Sequence, residues 1–170
     1  MNRLIILGAG GYGKTVADVA DQLGYTRIAF LDDMRTGEKI LGICEDFKSF
    51  ADGNTEMYPA FGNNEYRIRW MKRLLEAGIR VPSFVHPRAY VSPTAKIAAG
   101  CIILPQAAVN TDVKLEMGCI INLGAIVDHD CVICEGAHLA PGAIVKAENR
   151  IRPGFKINSG EVVENRQYPL

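Results

Sequence analysis

The stretch from Val85 to Val163 repeats in steps of six. Val85, Val91, Ile97, Ile103, Val109, Leu115, Ile121, Val127, Ile133, Leu139, Val145, Ile151, Ile157 and Val163 share one phase without a slip. All are branched aliphatics. With 48% of the chain hydrophobic, fourteen consecutive matches have chance odds on the order of 10⁻⁵. A second slot follows four residues after each aliphatic. Ala89, Ala95, Cys101, Ala107, Val113, Cys119, Ala125, Cys131, Ala137 and Ala143 keep it small and apolar. Gly100, Gly118, Gly124, Gly136, Gly142, Gly154 and Gly160 recur just before it.

Six is neither the 3.6-residue period of a helix nor the period of two of a half-buried strand. It suits a short strand plus a turn, with a large residue filling a core and glycine easing the bend. Three such units close a triangular coil of 18 residues, and stacked coils pair in parallel around a column of Ile, Val and Leu. The expected fold is a parallel β-helix. The small slot lapses at Asn149, Phe155 and Glu161, and Phe155 is expected to cap the open end of the core.

The first part of the chain reads differently. Arg3 to Leu7 is an aliphatic run typical of a buried parallel strand. Gly8-Ala9-Gly10-Gly11-Tyr12-Gly13 follows and matches GxGxxG. A helix is expected next, with Val16, Val19, Ala20 and Leu23 on its buried face and Gly24 ending it. Ile28 to Leu31 reads as a second strand, closing on Asp32 and Asp33. In such a βαβ unit the glycines let a phosphate approach the helix N-terminus, and the acidic residue can accept hydrogen bonds from a ribose or base. Met57 to Phe61 is expected to be a third strand at a sheet edge, because of Pro59. Asn63 is placed to cap a helix running to about Ala77, with Ile68, Met71, Leu74 and Leu75 on its inner side, Trp70 packing in the same interface and Gly78 stopping it. Pro82 and Pro87 bracket the passage into the repeats. Two domains are therefore expected: an α/β Rossmann-like half domain over 1–82, and the all-β helix over 83–170.

Composition excludes several classes. The 170 residues carry no net charge, which gives no footprint for nucleic acid or a membrane surface. No apolar run reaches transmembrane length, and Met1 to Leu7 is a poor signal peptide. Five cysteines in an unsecreted chain suit a reducing, cytoplasmic compartment. Cys131 and Cys134 form a CxxC, but Cys131 falls in the small slot and no second CxxC exists, so packing explains it and no metal is expected.

Asp128-His129-Asp130 is the most chemical stretch of the repeats. His129 lies outside the core phase, and a neighbouring carboxylate can orient its imidazole and raise its basicity. Spacing alone leaves open whether this is a base or a solvated surface histidine.

Motifs along nearly the whole chain resemble the bacterial hexapeptide-repeat acetyltransferases that modify nucleotide-linked amino sugars, together with relatives that O-acetylate sialic acids. The matching residues are the glycine loop from Leu7 to Gly13, Phe30-Leu31-Asp32-Asp33, Gly62-Asn63-Asn64-Glu65 and His86-Pro87. They continue through Val91-Ser92-Pro93-Thr94-Ala95, Ile121-Asn122, Val127-Asp128-His129-Asp130-Cys131 and His138-Leu139-Ala140-Pro141-Gly142. The resemblance implies a left-handed β-helix, a homotrimer with active sites between subunits, and acetyl-CoA as acyl donor. It implies that His129 is the general base and that Asp130 supports it. It implies that His138 lies near the thioester, and that a backbone N–H at Ala147, one coil beyond the base, polarises the acetyl carbonyl. Family members usually carry glycine at that point. Asn122 is expected to wall the donor cleft or, equally, to stack in a turn. A nucleotide sugar, a UDP-amino sugar first, is expected at Gly10, Gly11, Tyr12, Asp32, Asp33, Gly62 and Asn63. Family members usually continue for more coils, so an abbreviated CoA site is also expected. A second reading is a non-catalytic nucleotide-sugar-binding scaffold. An NAD-linked enzyme is disfavoured by the half-size βαβ region. A zinc hydratase is disfavoured because His86, His129 and His138 are not eighteen apart.

Overall fold

The structure, a computed structural model, describes residues 3–170. Met1 and Asn2, read above as the start of the apolar N-terminus, lie outside the described residues. Contacts divide the chain into two compact units, Met1–Pro82 and Ser83–Leu170.

The first unit is built on a three-stranded parallel sheet. Strand β1 (Arg3–Leu7) lies between β2 (Arg27–Leu31) and β3 (Thr55–Pro59). Leu4 to Leu7 are fully buried, because a central strand is covered on both faces. β3 occupies an edge, where Pro59 costs no ladder hydrogen bond. Helix α1 (Gly11–Gln22) buries Gly13, Val16, Val19 and Ala20. Leu23, expected on that face, is instead the C-cap and is 39% exposed, since the chain turns at Gly24, whose φ is 88°. A 3-10 helix (Cys44–Phe50) follows β2. Helix α2 (Asn64–Glu76) is capped by the Asn63 side chain, which accepts from the Tyr66 N–H at 2.8 Å. Its buried face is Arg67, Trp70, Met71 and Leu74. Leu75 is exposed and Ile68 half-buried, so the apolar stripe is rotated toward Trp70, which packs edge-on against Phe47.

The second unit is a three-faced parallel β-helix. The first face stacks Phe84–Val85, Ile102–Ile103, Ile120–Ile121, His138–Leu139 and Lys156–Ile157. The second stacks Tyr90–Val91, Ala108–Val109, Ile126–Val127, Ile144–Val145 and Val162–Val163. The third stacks Lys96–Ile97, Lys114–Leu115, Val132–Ile133 and Arg150–Ile151. Residues 18 apart are direct partners, as in Ile120 with Ile102 and His138. The second residue of every pair turns inward. All fourteen phased aliphatics line one interior, with Val85, Val91 and Ile97 only partly covered at its beginning. Each fully buried one contributes roughly 1.5–3 kcal/mol.

The three corners differ in their turn chemistry. Two are turned mostly by glycines with φ between 62° and 70°, at 100, 118, 136 and 154 and at 124, 142 and 160. The corner between the second and third faces uses Asp112, Asp130, Glu148 and Arg166, all left-handed with φ between 54° and 58°. A left-handed conformation costs a residue with a Cβ about 1 kcal/mol or more. One edge of the prism therefore carries strain and charge together.

Asn149 explains why the small slot lapses. Its side chain is fully buried. Nδ2 donates to the carbonyls of Lys146, Ala147 and Glu164 at 2.8, 3.3 and 2.8 Å, and Oδ1 accepts from the Tyr168 N–H at 2.7 Å. Arg150 N–H donates to Tyr168 O, and the Tyr168 ring meets Phe155 edge-on. The segment after Val163 is thus folded back on the last coil, and Phe155 packs against the core at that end.

Candidate active site

The charged corner places the Asp128–Asp130 stretch in three parallel ladders, each with an 18-residue rise. One ladder is Asn110, Asp128, Lys146 and Glu164. The middle one is Thr111, His129, Ala147 and Asn165. The third is Asp112, Asp130, Glu148 and Arg166.

His129 is half-exposed, and its Nδ1 lies 2.8 Å from Asp130 Oδ2. The carboxylate can only accept, so Nδ1 carries the proton and Nε2 is left as the acceptor nitrogen. Donating this hydrogen bond to Asp130 raises the imidazole pKa above its ordinary value. Desolvation works against it, and the charges of Asp128, Asp130 and Glu148 add to the rise. Asp128 is held by other partners. Its Oδ1 accepts from the Asn110 amide at 3.0 Å and from the His129 backbone N–H at 2.8 Å. Desolvation opposes its ionisation, yet these two donors and the nearby imidazole hold its pKa below the usual value.

The backbone at the corner shows a further difference. The N–H groups of Thr111 and His129 are each capped by the side-chain oxygen of the preceding residue, Asn110 or Asp128. Ala147 follows Lys146, which has no acceptor. Among the described residues, none accepts the Ala147 N–H.

His138 and Asn122 meet at the corner between the first and second faces. Asn122 Oδ1 accepts the Leu123 N–H at 2.9 Å, which fixes the amide, and Nδ2 points to His138 Nε2 at 3.1 Å. The ring must accept there, so His138 is the Nδ1-protonated tautomer. The structure brings Asn122 to His138, and Asp130 to His129. The second face lies between these corners and presents Tyr90, Ala108, Ile126, Ile144 and Val162 outward, with Ile126 40% and Leu123 49% exposed.

In the first unit the expected ligand residues have mixed duties. Asp32 accepts three backbone N–H groups: Ala9 on Oδ2 at 2.7 Å, and Met34 and Arg35 on Oδ1 at 2.9 and 2.8 Å. Desolvation works against its charge, but the three donors lower its pKa. Asp33 accepts from Cys44 N–H, and Tyr12 shares a hydrogen bond with Tyr58. Asn63 is the α2 cap. These groups therefore shape the loops. Gly10, Gly11 and Gly62 leave open space, since a Cβ on any of them would meet nothing within 4 Å. Gly13 is different, because a Cβ there would fall 1.9 Å from Gly8 O. Gly10 caps α1 without a side chain, leaving first-turn N–H groups for an anion. Beside it is a cavity of about 390 Å³ walled by Ala9, Phe30 and Ile40 and by the cations Lys14, Arg35 and Lys39.

Those cations and the ladder residues Asn110 and Glu148 escaped sequence reading. Stepping 18 residues from Asp128 and Asp130 would have found the ladder. The Cys131 and Cys134 thiols part ways: Cys131 Sγ donates to Lys146 O, while Cys134 Sγ accepts from Arg150. Among the described residues no helix is long and apolar enough to cross a membrane.

Comparison with known proteins gives one direction. The family profile of the PglD N-terminal domain matches residues 3–74. The acetyltransferase domain of PglB from Neisseria gonorrhoeae has a TM-score of 0.95 at 33% identity, over 98% of this chain and 84% of that one. The same domain in complex with acetyl coenzyme A gives 0.94 at 34%, with equal coverage. A His-to-Asn variant of perosamine N-acetyltransferase from Caulobacter crescentus, in complex with CoA and GDP-perosamine, gives 0.83 at 25%, over 99% of this chain and 91% of that one.

Proposed function

The chain belongs to the left-handed β-helix sugar acetyltransferases of bacteria, the family of the PglB acetyltransferase domain, and is an acyltransferase; from that membership we propose that it moves the acetyl group of acetyl-CoA onto an amino, or hydroxyl, group of a nucleotide-linked sugar, with His129 as general base. The carrying observation is the His129–Asp130 pair, which leaves Nε2 as an acceptor at a half-exposed corner. Nε2 takes the proton of the acceptor group as its nitrogen or oxygen bonds to the acetyl carbon. The bond from that carbon to sulfur then breaks, and the thiolate leaves to take up a proton. Asp130 holds the tautomer and stabilises the imidazolium. The Ala147 N–H, uncapped by Lys146, suits the oxygen that becomes negative in the tetrahedral intermediate. Alanine in place of glycine leaves that donor unchanged.

The apolar second face supports a homotrimer. It is flanked on one side by the His129 corner and on the other by Asn122 and His138. A cyclic assembly that buries it sets the base of one subunit beside the Asn122–His138 pair of the next. We read residues 1–82 as a Rossmann-like half domain for the nucleotide sugar. The open Gly10–Gly11 turn and the cations Lys14, Arg35 and Lys39 suit a diphosphate. Residues 83–170 form the acyltransferase domain. A UDP-amino sugar is the first acceptor to try, and a cytoplasmic setting supplies both substrates.

The test is to incubate the protein with acetyl-CoA and a panel of nucleotide-linked amino sugars, following thiol release and product mass. The reading expects one acceptor to gain a single acetyl group. Calorimetry that finds no binding of millimolar CoA, with nucleotide sugar still bound, would favour the scaffold instead.

A further inference from the structure

The ladder through Asp130 continues for two coils beyond the base, and its upper residues are not required by the repeat. Glu148 and Arg166 occupy the left-handed corner position, with φ of 58° and 54°. Glycine turns the other two corners at most coils, so glycine would serve here with less strain. The two side chains form an ion pair with each other. The Glu148 N–H donates to the His129 carbonyl at 3.2 Å, and the Arg166 N–H donates to Ala147 O at 3.4 Å. Asp130, Glu148 and Arg166, with Pro169 and Leu170, line a cavity of about 430 Å³ beside the base. Asn149 holds the backbone that delivers Arg166, through Glu164 O and Tyr168 N–H.

We propose that Glu148 and Arg166 are a positioning pair for His129: Glu148 sets a carboxylate at the corner from the coil above, and Arg166 sets how much of its negative charge the imidazole meets. The proposal rests on the reading of His129 as the base. The other charges at that corner already have partners or belong to another coil. Asp128 is held by Asn110 and the His129 N–H, Asp130 by the imidazole, and Lys146 by Glu164. Asp112 lies one coil below. Glu148 is thus the carboxylate whose effect on His129 can be varied without disturbing the Asp130 hydrogen bond. The hydrogen bond from Arg166 is the largest influence holding the Glu148 pKa below the usual value, and the charge of His129 adds to it.

The test uses two single substitutions and their double, read on the intact protein by NMR titration of the His129 ring and by the pH profile of kcat/KM. Glu148→Gln removes a negative charge and leaves Arg166 uncompensated, so His129 titrates at lower pH than in wild type. Arg166→Gln frees the Glu148 charge, so His129 titrates at higher pH. In the double variant the Arg166 effect disappears and the midpoint returns toward wild type. Opposed shifts, with kcat lowered several-fold and KM for the sugar little changed, support the pair. Equal midpoints in all four proteins, or shifts of the same sign in both single variants, overturn it. Glu148→Asp, which keeps the charge, is expected to titrate as wild type, and a thermal melt of each variant separates misfolding from the effect. The ring titration needs no turnover, so it stands even if His129→Ala proves active and the general-base reading fails.

Discussion

Replacing Asn149 by alanine would restore the small apolar slot of the repeat, yet it is expected to loosen the end of the β-helix. The amide is fully buried and joins four backbone groups, the carbonyls of Lys146, Ala147 and Glu164 and the N–H of Tyr168. A typical hydrogen bond contributes about 1 kcal/mol net, and a polar group left buried without a partner costs about 1–3 kcal/mol. The 3.3 Å contact is the weakest of the four, and the end of the prism lets some freed groups reach water. The loss is therefore about 2–4 kcal/mol, or roughly 30- to 1000-fold in the equilibrium for opening the tail. Two observables report that opening. One is hydrogen exchange of the Arg150 and Tyr168 amides, since Arg150 N–H donates to Tyr168 O. The other is tryptic cleavage after Arg166, which requires the tail to leave the surface. Asn149→Ala should accelerate both by at least an order of magnitude. Asn149→Asp should do so as strongly, because it sets a carboxylate against three carbonyls. Exchange and cleavage at wild-type rates in Asn149→Ala would refute the capping role.

Other outcomes follow from single features. Gly13→Ala places a Cβ 1.9 Å from Gly8 O, so α1 and the glycine loop must separate, and denaturant unfolding of the first unit should show a loss of about 3 kcal/mol or more. For the pH profile, a general base at His129 reacts as the neutral imidazole, so on the proposed mechanism kcat/KM rises with pH through the pKa of His129, which lies above the ordinary imidazole value. Asp130→Asn removes the largest contribution to that shift, so the rise should move to lower pH while the plateau falls by about 10- to 100-fold. A profile that keeps its midpoint in Asp130→Asn would count against the pair. Ile126→Glu places a charge in the middle of the exposed apolar face and should convert a trimer to monomers in sedimentation experiments. A wild-type protein that is itself monomeric would remove the argument for a shared site.

The period of six made the β-helix legible because each coil repeats one burial pattern, and burial is what a repeat encodes. The same regularity also hid information. Glycine lapses at 112, 130, 148 and 166, which marks one corner as chemical, but only an 18-residue reading reveals it. Asn149 looked like a failing repeat because a slot pattern cannot tell a buried amide with four partners from a polar intrusion. In the first unit β1 and the Asn63 cap were readable from local chemistry. Leu23 and Leu75 were misplaced because helical periodicity gives a face, while the exact stripe is set by neighbours such as Phe47 and Trp70. The Lys14, Arg35 and Lys39 cluster depends on a loop folded by Asp32 and Asp33, and no period describes it.

The central claim is that the imidazole of His129 accepts the proton of the acceptor sugar. The direct measurement is the rate of acetyl transfer by His129→Ala, with saturating acetyl-CoA and the acceptor found for the wild type. The account expects a fall of at least 100-fold with the melting temperature and oligomeric state unchanged. Transfer at the wild-type rate would contradict it.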